Sequence, residues 1–404
     1  MTLDKRTDLR AAEAEQGSAL QSQEELPDFG EVHEPLDGRL SEGELWWRDH
    51  HEWFKARGYL LRARYSPSWV PSWENTKKWH WDCEDGRGLL WRNINDATRM
   101  SDGKYVALKR IKKSEHRYEV DIGLYFSSDE MVSEPANHCA PFYEVLTVDD
   151  DDDGTVVIVM PLLRSYNDPY LDTIGEAVDF FRQIFEVSGN DIEAQGRSDH
   201  SVGQGLQFMH RHYIAHRFCL TWSIMVDANG LCPKSCRPSP TLPGSTCSKF
   251  TKHYTRTQRP PKYYLTCFGR SRYYDPPDIN PCHHPIWEKD GKLNGHRNPF
   301  QTDIYDIGNL VMEDFIQTKS GFGFMLRLVS DMVHPEPSKR PTIDEVVSRF
   351  DEIRRGLSSW ELRSRIIDER DLDVFERGTR IVTHWIRRIG YVVRRVPPLP
   401  SPPS

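Results

Sequence analysis

Two β-prone runs, Asn95–Arg99 and Lys104–Ile111, face each other across Ser101-Asp102-Gly103, and the other strand signals cluster with them before Leu163. Asp-Gly between strand-like runs marks a hairpin, because the tight turn needs backbone conformations that these residues tolerate. The second strand carries Tyr105-Val106-Ala107-Leu108-Lys109, and a helix is expected over Ser114–Phe126. Thr155–Leu163 reads as a buried strand ending in Met160-Pro161-Leu162-Leu163. Beyond it, helical segments are expected at Glu176–Glu186, Gly205–His212, Asp303–Phe315, Gly323–Met332 and Ile343–Arg355. Strands first and helices after give an α+β chain, with a small β-rich part joined to a larger helical part.

The rest of the chain narrows the class. A formal net charge of −8 and a pI near 6.1 argue against a general nucleic-acid binder. Residues 1–40 are polar and rich in Glu and Gln, and read as a disordered leader that cannot bury enough surface to offset the entropy of ordering. No signal peptide and no transmembrane segment is evident, so an intracellular chain, cytoplasmic or nuclear, with mostly free thiols is expected. Cys232, Cys236 and Cys247 share a loop with His253 nearby. Their spacing lacks the tight C-x2-C pair of a zinc site, so loop thiols are the expectation and no metal site is assigned. The acidic run Asp149–Asp153 reads as a solvated turn, without the spaced ligands of an EF-hand. Between Leu45 and Trp73 the dense aromatics Trp46, Trp47, Trp53, Tyr59, Tyr65, Trp69 and Trp73 fit a packed helix followed by an extended segment. Residues 356–404 form a basic helical extension and a Pro-rich tail. Its arginines offer a surface for acidic partners or lipid, although the acidic residues interspersed up to Glu376 favour a solvated helix.

One stretch breaks the pattern. Phe181, Ile184 and Phe185 keep helical spacing, and so do Leu206 and Met209, but residues 187–204 between them are polar and aperiodic. Removing 187–204 puts Leu206 and Met209 on the same stripe, at i+7 and i+10 from Phe181. The insert begins with Val and ends with Gln, as an in-frame retained intron would translate; a surface loop is the other reading.

Five segments in order, MPLLRSYNDP, FMHRHYIAHR, YYLTCFGRSRYY, PFQTDIYDIGNL and HPEPSKRPTIDEV, resemble the protein kinase superfamily, and within it the divergent kinase-like proteins of mushroom-forming fungi. The resemblance covers roughly Trp69 to Phe350. It implies a bilobal fold, with an N-lobe over about 69–163 and a C-lobe over about 164–355, inside a domain spanning 41–355. Lys109 then matches the strand lysine that pairs with nucleotide phosphates, and Glu119 its helix partner, with Glu115 as fallback. A Lys–Glu pair at this place can equally serve only to lock helix to sheet. Gly86 and Gly88 stand where a glycine-rich phosphate loop belongs, but Trp91 replaces its third glycine. Met160 matches the back of an adenine pocket and Leu162 the hinge. Asp303 matches the aspartate that caps the catalytic loop, and Arg340 the arginine that pairs with a glutamate, for which Glu288 is the nearest candidate.

The chemical positions are lost. The family pattern H-R-D-x-x-x-x-N reads His216-Arg217-Phe218 through Ser223, and D-F-G reads Cys267-Phe268-Gly269. Phe218 cannot accept a proton, Ser223 is a poor magnesium ligand, and the Cys267 sulfur is too soft for a hard cation. Each Asp-to-Phe or Asp-to-Cys change needs two base substitutions. The resemblance therefore implies a pseudokinase that acts as a binding or regulatory module toward an unidentified protein partner. At most it has weak, metal-independent ATP binding through Lys109, and Mg²⁺ is not expected. Two alternatives stand beside it: an active Ser/Thr-type protein kinase with displaced residues such as Asp227 or Asp306, and a non-functional gene product carrying the insert.

Overall fold

The computed structural model describes residues 37–89, 91–149, 154–185, 205–231, 253–274, 286–287, 293–294, 298–368 and 374–400. The chain is a mixed α+β structure built on a curled antiparallel sheet. Helices α1 (Glu42–Asp49) and α2 (His51–Ala56) lead into β1 (Tyr59–Leu61). Then come β2 (Ile94–Arg99), β3 (Tyr105–Lys112), α3 (Arg117–Phe126), the short α4 (Asp129–Val132), β4 (Glu144–Thr147) and β5 (Thr155–Pro161). The five strands lie in the order β1-β2-β3-β5-β4, every neighbouring pair antiparallel.

The alternation of β5 explains what covers the sheet. Successive side chains on a strand point to opposite faces. Val156 and Ile158 enter the large core that also holds Phe126 of α3. Val157 and Val159 enter a second core with Trp47, Phe54, Tyr59 and Leu61. The first two helices therefore seal the outer face of the sheet, and α3 lies on the inner side. This corrects the boundary expected at residue 69: β1 pairs with β2 residue for residue over Tyr59–Leu61, so the sheet unit begins well before Trp69. The expectation missed it because a three-residue strand leaves almost no periodicity to read. The aromatic run is packing, as its composition suggested: Trp47 stacks on Phe54, with ring centroids 5.6 Å apart. Trp47 Nε1 donates to the Arg92 carbonyl at 3.0 Å. Buried Arg64 bonds Glu44 of α1 at 2.9 Å, tying that helix to the segment after β1.

A second sheet of β6 (Arg164–Ser165), β8 (Ile224–Val226) and β9 (Tyr263–Leu265) follows. Around it pack α5 (Ile174–Phe185), α6 (Gly205–Arg211), α7 (Pro299–Val311), α8 (Leu326–Met332) and α9 (Ile343–Gly356). A short pair, β7 (Ile214–Ala215) with β10 (Arg272–Tyr273), closes one side. After α9 come the single turn α10 (Ser359–Leu362) and α11 (Val374–Val393). Thr342 begins α9 with a reciprocal cap: its side chain accepts from Glu345 N, and Glu345 accepts from Thr342 N at 2.7 Å.

Phe181, Ile184, Phe185, Leu206 and Met209 are all buried in one core. Gly205 sits against the last turn of α5: a Cβ added to it would lie 2.3 Å from the Ile184 carbonyl oxygen. Its φ of +55° in that crowded spot explains why glycine stands there. Most of the leader, the insert 187–204, Asp150–Asp153, Cys232, Cys236, Cys247 and Glu288 lie outside the described residues.

Candidate functional site

Strand β3 places Lys109 on the inner face of the sheet, opposite Ile158 of β5 and beneath α3. Its ammonium forms a buried ion pair with Oε1 of Glu119 on the first turn of α3. Only 6% of Lys109 and 1% of Glu119 are exposed, whereas Glu115, the fallback partner, is exposed. Burial pulls the Lys109 pKa down, but the adjacent Glu119 charge outweighs it and the net shift is upward. The second Glu119 oxygen is buried without a hydrogen-bond partner.

The segment Thr266–Gly269 closes against this pair. A Cβ on Gly269 would lie 3.1 Å from Glu119 Oε2, so the turn packs directly under α3. Cys267 takes a left-handed backbone conformation at φ +66° and starts a single 3₁₀ turn. Burial and the Glu119 charge push its thiol pKa up against the opposing pull of Lys109. At neutral pH it is therefore a thiol, and only a thiolate is a competent metal ligand. Phe268 is buried among Phe126, Phe142 and His216, with ring centroids 5.8 to 6.3 Å away.

The loop His216–Ser223 is anchored by one carboxylate. Asp303 of α7, fully buried, accepts from the backbone nitrogens of His216 at 2.8 Å and Arg217 at 2.6 Å. It also meets His210 Nε2 at 2.9 Å and the Cys219 thiol at 3.8 Å. The resemblance implied the backbone cap; the His210 and Cys219 contacts escaped it, because they depend on how α6 and the loop after β7 come to lie against α7. His216 Nε2 donates to the Thr266 carbonyl at 2.9 Å, which joins this loop to the Cys267 turn. Burial holds the His216 pKa below its ordinary value, so the ring is neutral at pH 7.

Within that frame Phe218 and Ser223 make structural contacts of their own. Phe218 is buried, with the Arg270 guanidinium 5.4 Å from its ring centroid. Ser223 Oγ donates toward the carbonyls of Phe218 at 2.6 Å and Leu220 at 2.8 Å, and accepts from Leu220 N at 3.0 Å. That hydroxyl staples its own loop, its single hydrogen directed at two carbonyls and one of its two lone pairs taken by Leu220 N. Mg²⁺ requires hard oxygens in octahedral array. A neutral thiol, a phenyl ring and a committed hydroxyl do not fit it. Among the described residues no group of three or more His, Cys, Asp or Glu could hold a metal ion.

Gly86 ends a 3₁₀ turn, Glu84–Gly86, in the long link between β1 and β2. A Cβ there would lie 2.0 Å from the His80 carbonyl oxygen, so Gly86 is small to pack against its own chain. Asp85 pins the same turn through Ser72 N at 2.9 Å and Trp69 Nε1 at 3.0 Å. Neither Gly86 nor Gly88 lies in a tight strand-to-strand turn that would cradle phosphates. A few residues on, Trp91 meets Trp222 of the His216–Ser223 loop edge-on, centroids 6.3 Å apart. This contact joins the β1–β2 link to the loop that follows β7, and no local pattern announces it. Met160 is half-buried at the end of β5 opposite Ala107, and Leu162 is buried just beyond it.

Arg340 bonds the His334 carbonyl at 2.8 Å and the Gln301 carbonyl at 3.2 Å, and lies 4.4 Å from the Tyr305 ring centroid. Asp227 accepts from Asn229 N at 3.0 Å, and Asp306 is buried on α7 beside Cys219. No protein-family model matches the chain, and no curated protein matches it.

Proposed function

We propose that the chain is a protein-kinase-like pseudokinase, a binding or regulatory module with a kinase-type two-lobed architecture and no phosphotransfer chemistry. The five-stranded sheet with α3 is the smaller lobe, and the helical remainder the larger. One observation carries the reading: Lys109, Glu119, His216, Phe268 and Asp303 interlock in a single buried framework, while Phe218, Ser223 and Cys267 occupy the chemical positions within it. Phosphoryl transfer depends on positioning and on electrostatic stabilisation by bound Mg²⁺. The framework supplies the first and lacks the ligands for the second. Crowding at Gly86 and the Trp91–Trp222 contact further argue against a phosphate cradle of the usual kind. The Lys109–Glu119 pair then acts chiefly as a lock between sheet and helix.

Thermal denaturation with ATP, with and without Mg²⁺, tests this directly. A ligand that binds only the folded state at a hundred times its Kd stabilises by about 2.7 kcal/mol. Any ATP shift is expected to be small and unchanged by Mg²⁺. Mg²⁺-dependent transfer of labelled phosphate to a protein substrate, abolished in a folded Lys109→Met variant, would overturn the proposal.

A further inference from the structure

Helix α11 is mounted inside out. Its polar face is docked on the body: the Arg387 guanidinium pairs with Asp172 at 2.7 Å, and Tyr391 bonds Thr255 at 2.8 Å. Arg388 donates to the Trp360 carbonyl at 3.1 Å, and Arg380 lies 5.8 Å from the Tyr170 ring centroid. These positions, 380, 387, 388 and 391, share one side of a helix with 3.6 residues per turn. The opposite side carries Ile381, Val382, Trp385, Ile386, Ile389, Val392 and Val393, and every one is exposed, Ile386 at 67% and Val393 at 76%. A helix on a globular protein normally turns such a stripe toward the core. Trp360 of α10, 65% exposed, extends the patch: its ring lies 6.3 Å from that of Trp385, with the Arg388 guanidinium 3.6 Å from its centroid.

Charge selects among the occupants. Residues 374–395 contain six arginines and one glutamate within a chain of net charge −8, and Arg394 and Arg395 are exposed at the end of the stripe. Arg380, Arg387 and Arg388 are turned to the body, so the charge beside the exposed stripe is that of Arg394 and Arg395. One helix of 20 residues, about 30 Å long, offers little area for a stable dimer. An apolar stripe with interfacial tryptophans and flanking arginines suits the surface of an anionic bilayer, with the helix in the interface plane. Among the described residues no helix is long and apolar enough to cross a membrane, so the helix would lie on the surface.

We propose that the outward face of α11, together with Trp360, docks the protein on a lipid bilayer carrying anionic headgroups. The docked polar face holds the stripe outward in advance, so binding requires no refolding of the helix. Nothing in this surface involves the Lys109 site, and it stands whether or not the pseudokinase reading does.

The test is co-sedimentation of the full chain with vesicles of phosphatidylcholine alone or mixed with phosphatidylserine. Partition into the mixed vesicles is expected, weakening as salt rises. The double variant Ile386→Glu/Ile389→Glu should lower it at least about tenfold while leaving the melting temperature unchanged, because both side chains are already exposed. Should that variant fold poorly, hydrogen exchange on the unaltered chain serves instead, with vesicle-induced protection confined to 381–396 as the expected result. Failure to partition into either vesicle would refute the proposal. Equal partition into both would refute the anionic assignment. A concentration-dependent dimer that ignores vesicles and is lost in the double variant would assign the face to a second copy.

Discussion

Replacing Glu119 by Gln asks whether the Lys109–Glu119 pair is structural. The change keeps shape but strips the negative charge from a side chain that is 1% exposed, and leaves an ammonium 6% exposed beside a neutral amide. Breaking a buried pair from one side costs roughly 3–5 kcal/mol, since the remaining charge is uncompensated. Lys109→Met should cost about as much, because it strands a carboxylate whose Oε2 already lacks a hydrogen-bond partner. The double variant Lys109→Met/Glu119→Leu removes both charges and should lie within about 1–2 kcal/mol of the unaltered protein, giving a coupling of at least about 3 kcal/mol. Urea titration measures this, read as a lower midpoint with an unchanged slope. The sign of the Lys109 shift sets the pH range. A group whose folded pKa is raised contributes stability that is complete below its unfolded pKa, about 10.4, and lost as pH rises through the folded value. The penalty of Glu119→Gln should therefore be level from neutral pH up to about 9. Single variants that each lose less than about 1 kcal/mol, or a strictly additive double variant, would refute the lock.

Three further outcomes are expected. Deleting residues 187–204 joins Glu186 to Gly205, which already abuts the Ile184 carbonyl; closing a much shorter loop should stabilise by about 2–3 kcal/mol, less about 1 kcal/mol for glycine in a helix. A melting temperature that falls on deletion would show that the segment is needed. Gly86→Ala should destabilise by about 1–3 kcal/mol in chemical denaturation, because its Cβ meets backbone at 2.0 Å; a neutral result would free Gly86 for another role. His138 is buried with Nδ1 on the Tyr263 carbonyl, and burial pushes its pKa down to about 3. A depressed histidine contributes stability present above its unfolded pKa of 6.5 and lost as pH falls toward the folded value, so the protein should weaken by on the order of 3–5 kcal/mol between pH 6.5 and pH 3. His138→Gln should flatten that slope.

Much of the site could be read from residue order. The hairpin around Asp102-Gly103, the strand bearing Lys109 and the helix bearing Glu119 each follow from a local pattern whose geometry is fixed by period and turn chemistry, whereas the capping role of Asp303 was expected only from the resemblance. That Phe181, Ile184, Phe185, Leu206 and Met209 would all be buried followed from their spacing. The side chains at 218, 223 and 267 were equally plain, since residue identity does not depend on folding.

Tertiary structure decided the rest, because it depends on which surfaces meet. Nothing local told that α1 and α2 seal the outer face of the sheet, or that Gly86 is small to clear the His80 carbonyl. The commitment of the Ser223 hydroxyl to its own loop, and the meeting of Trp91 with Trp222 across 131 positions of chain, arise only on closure. Helix α11 makes the contrast sharpest. The order of its residues makes an amphipathic helix, but an amphipathic pattern is symmetric with respect to which face is bound. Only the pairing of Arg387 with Asp172 and of Tyr391 with Thr255 turned the polar side inward and left the apolar side to the solvent.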